Sequence, residues 1–239
     1  MAGWDDDRAG LLLPATAGTR GPVLTAKICL LGDPAVGKSS LVQRMAGRRF
    51  SEMYVTTVGA SVLKPETFHR LQAVDCRGCK RAASSPARRA CVPPALAGGA
   101  ASRSLTKTVT VRPPGAVADV RLALMIWEIN GHLPPSVVQP FLYGTDAAIV
   151  VADAARLDTQ IDLWKWIEAA RCHRGGIPVT VLVNKEDILE PGFDQELVEE
   201  LSGEYRCTCR MASARTGRNV DRVLHEVAAR LAAQNGLCG

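Results

Sequence analysis

Short runs of apolar residues recur along the chain, and they alternate with segments whose apolar residues repeat at helical spacing. A run of roughly four to eight apolar residues is typical of a strand that is buried on both faces of a sheet. The sequence predicts such strands at 28–31, 122–127, 147–152 and 179–183, and a weaker, more polar one at 205–211.

The helical patterns lie between these strands, at 39–46, 160–172, 194–201 and 219–233. The last is the clearest, because apolar residues recur along one face from Val220 to Leu231 and Asn219 can cap its first turn. Residues 61–63 and 105–109 read as one interrupted hairpin. We therefore expect an α/β fold with three layers, in which a mostly parallel six-stranded sheet carries helices on both faces and binds ligands beyond the carboxyl ends of its strands.

Composition adds limits on domain number and location. With 239 residues and 47% apolar composition, the chain can bury one core. We expect a mobile leader at 1–22, a domain at 23–235 and a short tail at 236–239. The sequence has no apolar run of the roughly 20 residues that a membrane span needs and no myristoylation or prenylation signal, so we expect no stable membrane anchor. Eight scattered cysteines suit a reducing cytoplasm.

A glycine-containing segment follows the first predicted strand directly and opens the first predicted helix. It reads Gly32-Asp33-Pro34-Ala35-Val36-Gly37-Lys38-Ser39-Ser40, the pattern of a phosphate-binding loop. Such a loop turns its backbone N–H groups toward a phosphate, and the helix N-terminus adds positive potential. Lys38 would reach the β and γ phosphates, and the Ser39 hydroxyl would ligate Mg²⁺. The alternative is a strand-to-helix turn that holds no ligand.

The base is indicated by a second motif, Asn184-Lys185-Glu186-Asp187, at the end of the predicted strand 179–183. A carboxylate at this place can accept hydrogen bonds from N1–H and the 2-amino group of guanine, two donors that adenine lacks. Alone, the segment would be a solvated turn. On a strand end of the same sheet as the phosphate loop, it predicts a guanine nucleotide.

With these two motifs the chain resembles the small Ras-like GTPases, most closely the Rab-type branch. The resemblance covers about residues 23–63 and 105–235 and implies a P-loop G domain that binds GTP or GDP with Mg²⁺. Ser213, Ala214 and Arg215 resemble the fifth motif of the family, in which the N–H of Ala214 would meet the guanine carbonyl.

The resemblance also places a first switch at residues 48–59. It implies that Phe50 packs against the base, that Tyr54 lies over the phosphates, and that Thr57 is a second Mg²⁺ ligand that senses the γ-phosphate. Without the family, Phe50 and Tyr54 would be ordinary half-buried aromatic residues.

The third motif, residues 127–132, departs from the family, which usually has Trp-Asp-Thr-Ala-Gly-Gln there. Glu128 stands in place of the aspartate and would hold Mg²⁺ through a water, with a small retreat of the backbone or the ion. His132 replaces the glutamine that orients the attacking water, and its imidazole can also hold a water. The alternative is that His132 is an exposed loop residue in a slow or inactive enzyme. The expected catalytic residues are His132, Gly131, Thr57 and Lys38.

Three prolines follow, between 134 and 140, where the family often has a helical second switch. Proline resists helix interiors, so we expect this switch to be stiffer and less helical. We expect effectors and regulatory proteins, namely an exchange factor and an activating protein, to bind residues 50–59 and 129–145. No arginine is evident at the first-switch position where heterotrimeric G-protein α subunits keep an internal arginine finger, so intrinsic turnover should be slow.

Residues 64–104 interrupt the domain as a basic, low-complexity insertion. They carry eight Lys or Arg residues against Glu66 and Asp75, so their net charge is +6 and that of the remaining chain is −1. This composition favours disorder. A zinc knuckle built from His69, Cys76, Cys79 and Cys91 is a less favoured alternative, and a gene-model artefact is another. Basic residues here could touch nucleic acid or anionic lipid through charge alone, so no specific nucleic-acid partner is expected.

The sequence as a whole predicts a cytoplasmic guanine-nucleotide switch that slowly hydrolyses GTP to GDP and phosphate. The alternative is an interaction scaffold that keeps its nucleotide and has negligible turnover.

Overall fold

The computed structural model describes residues 23–48, 50, 102–113, 119–133, 138–171, 177–189 and 193–235. The predicted leader, most of the first switch, most of the insertion with its four candidate zinc ligands, and the tail lie outside these residues.

Six strands form one sheet in the order β2-β3-β1-β4-β5-β6. The strands are β1 (Val23–Leu31), β2 (Ser102–Val111), β3 (Val120–Ile129), β4 (Ala147–Asp153), β5 (Val179–Asn184) and β6 (Thr208–Met211). β2 pairs antiparallel with β3, and every other neighbouring pair is parallel. The predicted α/β class with a mostly parallel six-stranded sheet is confirmed.

Five α-helices connect the strands among the described residues. They are α1 (Lys38–Met45), α2 (Leu157–Ile161), α3 (Leu163–Arg171), α4 (Gln195–Glu204) and α5 (Val220–Gln234). Short 3₁₀ turns occupy Gln139–Leu142 and Glu186–Ile188. Among these helices, none combines the length and apolar character that a membrane span requires.

The core lies on both faces of the sheet because successive strand residues point to opposite sides. Ile28 and Leu30 pack with α1 and α5, whereas Cys29 and Leu31 pack with α3 and α4. All four side chains are fully buried. This explains why the central strands read as continuous apolar runs, and it confirms that helices cover both faces of the sheet.

Several predicted boundaries are wrong. β2 begins at Ser102, so residues 102–104 belong to the sheet and not to the insertion. The predicted helix 160–172 is two helices with a break at Asp162, whose N–H still bonds back to the Asp158 carbonyl. Residues 205–207 precede β6 and are not part of it.

Asn219 does not cap α5 with its side chain. The residue stands at the N-cap position with φ +59°, but its Nδ2 donates to the Met211 carbonyl at 2.8 Å. It ties the helix start to β6, which is a different stabilising contact from the predicted one.

Candidate functional site

The loop between β1 and α1 has a tightly constrained backbone. A Cβ on Gly32, at φ +135°, would lie 2.2 Å from the Val151 carbonyl oxygen. A Cβ on Gly37, at φ +94°, would lie 2.2 Å from Asn184 Nδ2. Both positions therefore require glycine, for close approach to β4 and to β5. The loop lies at the carboxyl edge of the sheet, as predicted.

Lys38 bridges the loop from the first turn of α1. Its Nζ donates to the carbonyls of Gly32 at 2.7 Å and Asp33 at 2.6 Å, and the residue is only 6% exposed. Burial lowers the pKa of Lys38 to about 8, although the negative charges of Glu128 and Asp33 oppose the shift. A buried ammonium held by two carbonyls is well suited to receive a polyphosphate, since a stronger anionic partner can replace them.

This lowered pKa predicts a pH dependence of binding. In the nucleotide-free protein, Lys38 loses its proton as the pH rises through about 8. A bound polyphosphate would hold the charged form, so binding above that pH must take up a proton. Affinity should then fall by up to about tenfold per pH unit above the pKa. Calorimetry at pH 9 in two buffers of different protonation enthalpy would measure the proton taken up, and finding none would contradict the prediction.

Ser39 and Glu128 bring the predicted metal ligands together. The Ser39 hydroxyl donates to Glu128 Oε1, and Glu128 is 3% exposed at the end of β3. Hydroxyl and carboxylate oxygens are ligands that Mg²⁺ accepts. The described residues contain no cluster of three or more His, Cys, Asp or Glu side chains that could cage a metal, so an ion here would take further ligands from a phosphate. The donor set fits Mg²⁺ on those terms, and the water predicted between Glu128 and the ion stays a prediction.

Gly131 brings the third motif against the phosphate loop. A Cβ at this residue would lie 2.5 Å from the Gly32 carbonyl oxygen and 2.7 Å from Lys38 Nζ. Any larger residue would therefore displace the lysine or the loop. His132 follows with an exposed side chain, and its N–H donates to Asn130 Oδ1 at 3.0 Å.

Asn184 joins the phosphate loop to the loop that precedes α5. The side chain is 1% exposed; its Nδ2 donates to the Val36 carbonyl at 2.9 Å, and its Oδ1 accepts from the Ala214 N–H at 3.0 Å. This amide fixes three segments that are distant in sequence. Lys185 extends to Asp153 at the end of β4, with 2.5 Å between Nζ and Oδ2.

Asp187 is held as an acceptor at the rim of this site. Ser213 Oγ donates to Asp187 Oδ1 at 2.5 Å, and Arg215 Nη1 lies 3.8 Å from Oδ2. The Asp187 side chain is 16% exposed. The contacts fix the carboxylate while leaving it at the surface, which is the arrangement that reading the donor edge of guanine requires. Arg44 of α1 donates to the Arg215 carbonyl at 3.0 Å and so links this rim to the phosphate loop helix.

The predicted site residues thus fall into two groups. The structure brings together residues 32–40, Glu128, Gly131, Asn184, Lys185, Asp187 and 213–215 around one edge of the sheet. His132 follows Gly131 with an exposed side chain, Phe50 is 37% exposed, and Tyr54 and Thr57 lie outside the described residues.

Three residues at this site were missed by the sequence analysis, namely Asp153, Arg156 and Trp166. Arg156 donates to the Pro34 carbonyl and Trp166 donates to Asp33 Oδ1, each at 3.0 Å. The signal that could have found Asp153 and Arg156 is their position just at or after the carboxyl end of β4. Trp166 lies inside a helix and had no such signal.

Comparison with known proteins bears on what this edge binds. The family model of Roc, the Ras of Complex domain of DAPkinase, matches residues 27–80. The Ras-related protein Rab5A of Oryza sativa subsp. japonica is 26% identical over 217 residues, which cover 87% of this chain and 81% of the relative. Rab-22A of Canis lupus familiaris is 24% identical over 211 residues, 86% of this chain and 82% of the relative. RABF2b of Arabidopsis thaliana is 26% identical over 220 residues, 91% of this chain and 85% of the relative.

The chain resembles the Ras-like small GTPases of the Rab type. The family is one of GTP-binding switches, and the described part of this Rab-like protein places its phosphate loop, third motif and Asn184 motif along the sheet edge where a nucleotide binds in an α/β fold. The resemblance seen in the sequence is confirmed.

Proposed function

We propose that this Rab-like protein binds GTP with Mg²⁺ and slowly hydrolyses it to GDP and phosphate. The observation that carries the proposal is the packing of Gly131 against the loop, where an added Cβ would lie 2.7 Å from Lys38 Nζ. The third motif therefore approaches the ammonium that would hold the phosphates. His132 is the next residue in the chain, and this adjacency supports a role for it beside the γ-phosphate.

In the proposed reaction, water attacks the γ-phosphorus, and the bond from that phosphorus to the β–γ bridging oxygen breaks. Lys38 binds the phosphates through its ammonium, and the amides at the start of α1 face the same charge. Bound Mg²⁺, held by Ser39 and Glu128, would supply neutralisation of the phosphate charge. The His132 imidazole would orient the attacking water by hydrogen bonding. His132 would be the only group proposed to orient the water, and the sequence has no arginine at the first-switch position where heterotrimeric G-protein α subunits keep an arginine finger; both features support a slow rate.

Replacing His132 by Ala should lower the rate of phosphate release about a hundredfold, because the attacking water loses its partner. The measurement is single-turnover release of phosphate from prebound GTP with excess Mg²⁺. His225→Ala is the matched control, since this exposed histidine lies on α5 and contacts only the Asp221 carbonyl at 2.9 Å among the bonds described. It should keep the parental rate.

Two other results are informative. If the parent releases no phosphate, the chain is a nucleotide-locked interaction scaffold. This second candidate is favoured by one observation, the replacement of both working side chains of the third motif by Glu128 and His132. If His132→Ala hydrolyses GTP at the parental rate, His132 has no part in the reaction.

We further propose that the γ-phosphate controls residues 50–59 and 129–145, and that effectors and regulatory proteins bind there. Tyr143 is 42% exposed and lies within the second of these surfaces. An exposed aromatic side chain of this kind supports a protein-binding role, since aromatic residues often contribute most to the binding energy of an interface. A cytoplasmic location agrees with the proposal, because such partners and GTP are found there. Pull-down with the protein loaded with GDP or with a non-hydrolysable GTP analogue tests it: equal capture in both states would contradict a switch.

A further inference from the structure

The segment after β4 bonds the phosphate loop at two consecutive residues. Arg156 Nη1 donates to the Pro34 carbonyl at 3.0 Å, and Trp166 Nε1 donates to Asp33 Oδ1 at 3.0 Å. Arg156 is itself oriented by Asp158, with 2.7 Å between Nη2 and Oδ2. The Arg156 side chain is 38% exposed, so packing in the core does not explain its position.

The next loop residue is backbone-strained. Ala35 has φ +62°, in the left-handed region that disfavours residues with a Cβ. Such a conformation persists only where the surroundings determine it. The two residues that flank Ala35 each have their carbonyl held by a side chain: Arg156 donates to that of Pro34, and Asn184 donates to that of Val36 at 2.9 Å.

The two donors come from neighbouring strand ends. Arg156 follows β4, and Asn184 ends β5. The strained turn is therefore held on one side by β5 and on the other by β4. Removing either donor would leave one flank of Ala35 free to relax toward a conformation with negative φ.

We propose that Arg156 is a positioning residue of the phosphate loop, whose bond to the Pro34 carbonyl holds the strained turn at Ala35 in the conformation that binds phosphates. The inference rests on the proposed nucleotide binding for its effect on affinity. Its effect on the loop itself does not depend on any ligand. Trp166 offers a direct reading of that effect, because its indole N–H bonds Asp33, the residue before Pro34.

The test uses Arg156→Ala, Ala35→Gly and the double variant in the full chain. The first readout is the affinity for GDP, measured by displacement of a fluorescent GDP analogue. Arg156→Ala should weaken binding about tenfold, since a charge-assisted bond that keeps the loop competent is lost. Glycine adopts positive φ without strain, so the double variant should return to within about threefold of the parent.

The second readout is the Trp166 indole N–H signal in the nucleotide-free protein, assigned with Trp166→Phe. It should shift in Arg156→Ala and return toward the parental position in the double variant. Arg222→Ala is the control, because its guanidinium lies on α5 and pairs with Glu226 at 3.0 Å. It should change neither readout.

The proposal is overturned if Arg156→Ala leaves both readouts at parental values, or if Ala35→Gly recovers neither in the double variant. A parent that binds no guanine nucleotide would contradict the proposed function, and the indole signal would still decide the role of Arg156.

Discussion

Replacing Asp187 by Asn should lower the affinity for GTP about a hundredfold or more and raise the affinity for xanthosine triphosphate. The carboxylate accepts from the N1–H and 2-amino group of guanine, whereas an amide offers one acceptor and one donor. Xanthine has a carbonyl where guanine has the amino group, so the amide fits xanthine. Ser213 Oγ donates to the carboxylate at 2.5 Å and fixes its position. The substitution therefore changes which hydrogen bonds the side chain can form with the base, while the side chain stays in place. Competition titrations with both nucleotides measure the change.

Asp162→Asn is the control for this exchange. Its carboxylate forms an i,i+3 pair with Lys165 at 2.6 Å between α2 and α3, and it should not affect base preference. An Asp187→Asn variant that keeps parental GTP affinity would show that Asp187 does not contact the base.

Replacing Lys38 by Met should weaken GTP and GDP binding at least about a hundredfold, because methionine keeps the apolar stem and removes the buried charge. The variant should still fold, since Lys38 is only 6% exposed and its burial disfavours the charged form in the absence of nucleotide. Two measurements test this: the amount of nucleotide that the protein retains after gel filtration, and the cooperativity of its thermal unfolding. We expect Lys38→Met to lose its nucleotide and still to unfold cooperatively.

Lys107→Met is the matched control for the lysine. Lys107 pairs with Asp221 of α5, at 2.6 Å, on the antiparallel strand β2. Its replacement should leave nucleotide retention unchanged. Equal retention by Lys38→Met and Lys107→Met would mean that the ammonium of Lys38 does not hold the phosphates.

The strands and the main motifs were predictable because their physical signals are local. β4 and β5 are buried along their whole length, and a strand that is buried on both faces has a continuous run of apolar residues in its sequence. The phosphate loop was predictable because glycine spacing, Lys38 and Ser39 are contiguous. Asn184 and Asp187 follow a strand directly, and the parallel topology brings that strand end to the same edge.

Features that depend on packing between distant residues were not predictable. The break at Asp162 divides a continuous helical pattern, and only the tertiary structure reveals it. The start of β2 at Ser102 depends on its pairing with Ile129. The residues around Ser102 alone give no sign of this pairing. Arg156 and Trp166 reach the loop across more than a hundred residues of sequence, through bonds that are visible only after folding.

Glu128 shows both sides of this limit. The sequence predicted its place in a magnesium site, and the structure places its carboxylate against the Ser39 hydroxyl. The glutamate side chain is one methylene longer than that of aspartate, and it contacts Ser39, the other predicted metal ligand, directly. A bound Mg²⁺ ion would have to share these two oxygen atoms with ligands from the phosphates. The sequence and the structure of the chain alone therefore do not define the complete set of ligands.

The most direct test of guanine-nucleotide binding is the identity of the nucleotide released when freshly purified protein is denatured. Chromatography of the released material should show GDP or GTP at close to one molecule per chain, with little ADP or ATP. Adenine nucleotides alone, or no nucleotide together with no binding of added GDP in Mg²⁺, would contradict the account.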